Sequence, residues 1–155
     1  MNLKKKKIRE KAFHVIYEND FQTRSGIPTD KRGSVEEGYA LHLDESHFEE
    51  LTSEALAEAH ELAQSVFFHL EQIDRIIKQC SKSWRIDRMN SVDRSILRLA
   101  IFEMDIGEPV LQPAIAINEA VELAKVYGTS ESGAFVNGIL DQAAKVLGRI
   151  ESGSD

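Results

Sequence analysis

Apolar residues return every three or four positions along most of this chain, and that spacing predicts helices. Ile8, Ala12 and Val15 form one stripe, widened by Phe13, Ile16, Tyr17 and Phe21, so a first helix with a broad buried face is expected over about Lys4 to Gln22. Lys4, Lys7 and Lys11 recur at helical spacing away from that stripe, which puts ammonium groups on the solvent side of an element anchored in the core. From Thr23 to Asp44 the periodicity lapses, and Gly26, Pro28, Gly33, Ser34 and Gly38 mark a long loop to which no role is assigned. Helical spacing resumes over 45–82 with Leu51, Ala55, Leu62, Val66, Phe67, Leu70, Ile73, Ile76 and Ile77, and Ser46 or Thr52 is available as a cap. That run exceeds the usual helix length, so a break is expected near Leu70. Glu49, Glu50, Glu54, Glu58 and Glu61 fall on its outer side as a solvated acidic face.

Beyond Trp84 the segment RIDRMNSVDRS reads as an irregular link that ends in an N-cap at Asn90 or Ser91. The following helix, about Val92 to Ile106, is apolar over well over half of its circumference, which places it at the centre of a bundle. Gly107 and Pro109 stop it, Pro113 suits the first turn of the next helix, and Gly128 is the expected cap at that helix's end. Thr129 and Ser130 precede a last helix, roughly Glu131 to Leu147. No segment alternates with a two-residue period, so the expected class is all-α, with six or seven helices packed as two lobes of one domain. The domain is expected to span 1–150, with lobes of about 1–82 and 83–150 and a polar tail at 151–155.

Charge changes this picture. The total of −7 argues against a polyanion partner, but its distribution does not: residues 1–11 hold Lys4, Lys5, Lys6, Lys7, Arg9 and Lys11 against Glu10 alone, a local +5 that leaves −12 for the rest. A phosphate backbone feels the nearby patch, since charges beyond the Debye length of roughly 8–10 Å are screened. The single cysteine, Cys80, has no partner for an internal disulfide and reads as core filler in a reducing cytoplasm. No apolar run approaches the ~20 residues that span a bilayer. His14, His42, His47, His60 and His69 follow no metal-ligand spacing, and even the nearest approach to a cluster, His42, Asp44 and His47, lacks a fourth ligand. Phosphate-cradling loops, dinucleotide fingerprints and nucleophile elbows are missing too, so neither catalysis nor a cofactor is expected.

The blocks VDRSILRLAIFEM at 92–104, AINEAVELAKVYG at 116–128 and FVNGILDQAA at 135–144, together with KKIREKAFHVIY at 6–17, resemble the NusB antitermination family. The resemblance implies a non-catalytic transcription antitermination factor that binds boxA-type single-stranded RNA of ribosomal transcripts. It also implies pairing with the small-subunit ribosomal protein NusE and work alongside RNA polymerase in the elongation complex. On that basis Lys4, Lys5, Lys6, Lys7 and Arg9 match the family's phosphate-contacting arm, and Phe135 matches its base-stacking aromatic. Glu131 sits on the same first turn, where it complements the helix dipole and is able to accept hydrogen bonds from a base or ribose. Asp93 matches an acidic position at the protein-partner interface. A single-stranded RNA binder needs both classes of group, cations for phosphates and an aromatic face for an unstacked base. Two departures remove cations the family often carries: Ala134 stands immediately before Phe135, and Ala114 shortly before the AINEA block. The competing expectations are an RNA-binding module like those fused to rRNA cytosine methyltransferases, for whose catalytic domain 155 residues leave no room, and a structural helical adaptor, monomeric or homodimeric.

Overall fold

The computed structural model describes residues 1–25 and 51–149. Among them lie six α-helices, one short 3-10 turn and no strand. Most of the loop expected over 23–44, the capping role of Ser46, and the cluster of His42, Asp44 and His47 fall outside the described residues.

The first helix, α1, runs Leu3–Ser25, one residue earlier and three later than its apolar stripe required. Its start is set by Asn2, whose Oδ1 accepts from the Lys5 backbone N–H at 2.8 Å and so satisfies one of the orphan donors of the first turn. Phe13, Tyr17 and Phe21 stack up one side at i, i+4 spacing, with ring centroids 6.4 and 5.7 Å apart. The second helix, α2, covers Ser53–Phe68, and Thr52 caps it by accepting from the Ala55 N–H at 3.0 Å. Its buried stripe of Ala55, Ala59, Ala63 and Val66 is mostly alanine, and Ala55 and Ala59 close a small core with Ile8 and Leu51. Side chains this short let helix axes approach closely. Glu54, Glu58 and Glu61 are exposed, as an acidic outer face requires.

The expected break comes at His69, after which α3 spans Leu70–Cys80. Contacts divide the chain into two compact units, Met1–Phe67 and Phe68–Asp155. Helix α3 belongs to the second of these units and packs against the helices that follow it. The attachment is specific. Arg98 holds Asp74 through two parallel hydrogen bonds, Nε to Oδ1 at 2.9 Å and Nη2 to Oδ2 at 2.8 Å, the bidentate geometry that an arginine fork offers a carboxylate.

In the second unit, α4 (Ser91–Asp105) is central, with buried residues on every side from Val92 to Met104 except at Arg98. Asn90 is its N-cap, accepting from the Asp93 N–H at 2.7 Å. The preceding link, with a 3-10 turn at Ile86–Arg88, is tied down by Arg94, whose guanidinium donates to the carbonyls of Ile86 and Met89. Helix α5 (Pro113–Tyr127) presents Ala116, Ala120 and Ala124 to its neighbours, and α6 (Ser132–Val146) buries Val136, Ile139, Leu140 and Ala143. Helices α4, α5 and α6 pack against one another, with α3 laid on α4 and α6.

Candidate nucleic-acid interface

In the first unit, the sequence-predicted cations separate into two groups. Lys4 and Lys5 are exposed, and Lys6 and Lys7 are half-buried. Lys5 makes a 3.2 Å ion pair with Glu58, and both side chains are about half exposed. Pairs of that kind contribute roughly 0–1 kcal/mol, so a phosphate is able to displace the carboxylate. Arg9 differs: it is only 1% exposed and already engaged in interactions within the protein. The expectation that it stands on the surface as a phosphate contact is corrected accordingly. The signal was present in the sequence, because Arg9 lies three and four residues before Ala12 and Phe13 and thus on the core side of α1.

In the second unit, Phe135 is half-buried on the first turn of α6, outside the apolar stripe that Val136, Ile139 and Leu140 send into the core. The turn before it is closely built. Ser132 Oγ accepts from the Thr129 N–H at 2.9 Å, and the Ser132 N–H returns to the Thr129 carbonyl at 3.1 Å. Gly128 is demanded here by space: a Cβ would lie 2.4 Å from Ser132 Oγ, while the backbone φ of −98° is one that any residue adopts. The cap expected at Gly128 is in place, yet its glycine serves this packing. Glu131 is exposed and caps nothing with its side chain, which leaves the carboxylate facing solvent beside the helix start.

Phe135 does not stand alone. Trp84, 57% exposed, meets it edge to face with ring centroids 5.7 Å apart and planes at 78°. The two rings line an open groove of about 540 Å³ between the end of α3 and one side of α6. Sequence reasoning passed over Trp84; a lone tryptophan in a polar link was the available signal. Ala134 separates this groove from a second one of about 440 Å³ beside Lys125 and Asn137. Cys80, expected in the core, is half-buried on the wall of the first groove, and burial pushes its thiol pKa up. Among the described residues no group of three His, Cys, Asp or Glu is placed to hold a metal ion.

Asp93 is another correction. At 7% exposure it is not a surface group available to a partner. Burial pushes its carboxyl above the ordinary aspartate range, and polar contacts with Ser132 and Asn90 offset this only in part. Asn90 Nδ2 donates to Oδ2 at 3.2 Å, while Oδ1 has no well-formed hydrogen bond. A carboxyl raised in this way binds its proton more readily in the folded than in the unfolded chain, so stability falls as pH rises between the two values. The variant Asp93→Asn is therefore expected to gain on the wild type as pH is raised from about 4 to 7, read as the difference in urea midpoints. A difference that stays flat over that range contradicts the assignment.

These features define an all-α protein of two helical units, one with a basic first helix and the other with an aromatic groove, and none of its described helices is long and apolar enough to cross a membrane. The model of the NusB family matches residues 6–145, and the chain belongs to that family. Among curated relatives, the transcription antitermination protein NusB of Myxococcus xanthus is 37% identical over 141 residues, covering 91% of this chain and 94% of the relative. Among solved structures, NusB of T. maritima superposes with a TM-score of 0.70 at 31% identity, covering 94% of this chain and 93% of its own. A chain in the crystal structure of antitermination factors NusB and NusE in complex with double-stranded RNA gives a TM-score of 0.67 at 29% identity, covering 94% and 99%.

Proposed function

We propose that this protein is a transcription antitermination factor that acts in the cytoplasm by binding rather than by catalysis. It takes up boxA-like single-stranded RNA of ribosomal transcripts together with the ribosomal protein NusE, within the elongating polymerase complex. Two classes of contact are available. Lys4 to Lys7 supply ammonium groups for phosphates, and Phe135 supplies a ring face for an unstacked base. The observation that carries the reading is the position of Phe135: it lies at the mouth of a groove on the first turn of α6, half-exposed, whereas Val136, Ile139, Leu140 and Ala143 of the same helix are buried. Membership of a family whose curated relatives are transcription antitermination proteins supports it.

The test is a titration of end-labelled boxA-like RNA at low salt. Stacking on an aromatic side chain contributes about 1–3 kcal/mol per base, so Phe135→Ala is expected to weaken binding roughly five- to hundredfold. An unchanged affinity would remove Phe135 from the interface, and no binding by the wild type with or without NusE would overturn the function itself. Because Ala114 and Ala134 replace cations at two positions, the salt dependence of the wild type is expected to be shallower than in relatives that carry both.

A further inference from the structure

We propose that Trp84 is a second stacking platform for single-stranded RNA, so that Trp84 and Phe135 together line a groove that takes a flipped-out base and its phosphate. This rests on the RNA-binding reading above and adds to it a residue, a groove and a class of contact.

Four observations point the same way. First, Trp84 holds a large apolar ring in water at 57% exposure, and its backbone is not loose: its N–H donates to the Ser81 carbonyl at 3.0 Å, while Ser81 Oγ donates to the Ile77 carbonyl at 2.7 Å. The indole is presented by an ordered turn at the end of α3. Second, the edge-to-face arrangement with Phe135 leaves stacking surface open, since one ring keeps both faces clear of the other. Third, the groove of about 540 Å³ falls within the size range of small-ligand sites, roughly 300–1,000 Å³. Fourth, its chemistry suits an anion carrying a polar-edged ring. In a chain with 26 acidic and 19 basic residues, the lining holds Lys82 and no carboxylate. The exposed amides of Gln79 and Gln142 each offer a donor and an acceptor to a base edge. An apolar peptide would find a less fitting surface, because flat rings here alternate with amides and a cation instead of a continuous aliphatic floor.

Trp84 is the only tryptophan in the chain, which makes its emission a reporter of this groove alone. The experiment titrates the whole protein with unlabelled single-stranded boxA-like RNA while tryptophan emission is followed, beside anisotropy of the same RNA carrying an end label. Saturable quenching is expected, with a midpoint equal to the anisotropy Kd. Trp84→Ala should weaken binding roughly five- to hundredfold and Trp84→Phe much less, because a ring is retained. Gln142→Glu leaves the indole untouched but places a carboxylate in the groove, and it should weaken binding most at low salt. Urea midpoints confirm that each variant is folded.

Anisotropy that reports RNA binding while Trp84 emission stays constant and Trp84→Ala binds as well as wild type overturns this inference and leaves the RNA-binding function standing. Emission that responds to NusE and not to RNA assigns the groove to the protein partner and also overturns it. Absence of any anisotropy change at low salt, with and without NusE, overturns the function and the inference together.

Discussion

Arg94→Ala should lower the stability of the second unit by about 3 kcal/mol, seen as a fall in the urea midpoint with little change in slope. Arg94 is 2% exposed, and its guanidinium donates to the Ile86 carbonyl at 2.8 Å, to the Met89 carbonyl at 2.7 Å and to Ser91 Oγ at 3.3 Å. Each hydrogen bond from a charged donor contributes about 1.5–3 kcal/mol, and truncation removes that donor from two carbonyls of the link. Lysine should not rescue the loss, because a single ammonium on a flexible stem lacks the fork that reaches several acceptors. The effect extends beyond stability. The link that Arg94 holds joins α3 to α4, and Trp84 lies at its start, so a variant that still folds should show altered Trp84 emission even without ligand. A midpoint within about 0.5 kcal/mol of wild type would show that the link holds without Arg94.

Replacing Lys4, Lys5, Lys6 and Lys7 together by glutamine should cost the RNA complex most of its salt sensitivity. Each phosphate contact on a single strand contributes about 0.7 to the slope of log Kobs against log salt, so up to about three slope units should disappear. At low salt the loss of affinity should be large, and near physiological salt it should narrow as counterion release weakens. The variant should remain folded, because Lys4 and Lys5 are exposed and the ion pair of Lys5 with Glu58 is of the half-exposed kind that contributes little. Comparison with Phe135→Ala separates the two contact classes: that variant should lose affinity at every salt concentration and keep the wild-type slope. If the quadruple variant keeps the wild-type slope as well, the cations of α1 are not at the phosphates.

Much of the helical framework was legible before any coordinates. Helix boundaries within a few residues, the break near Leu70, an N-cap at Asn90 or Ser91 and the central position of α4 all followed from spacing and cap chemistry, which are local properties of the chain. The family blocks identified the same helices and pointed to Phe135, which is found at a groove and not in the core.

What the letters could not convey was the environment of each charge and ring. Asp93 is the same residue type as its exposed counterparts, yet it is buried once α6 brings Ser132 beside it. Composition assigns a charge; only packing decides whether that charge meets water, a carbonyl or a phosphate. The division at Phe67 is of this kind as well, since α3 joins the second unit through the Arg98–Asp74 pair and its packing on α4 and α6, none of which is encoded in its own periodicity. So is the meeting of Trp84 with Phe135, two rings far apart in sequence. Helix formation needs information from neighbours three and four residues away, whereas a binding groove needs side chains from separate helices, and their proximity exists only after the chain has folded.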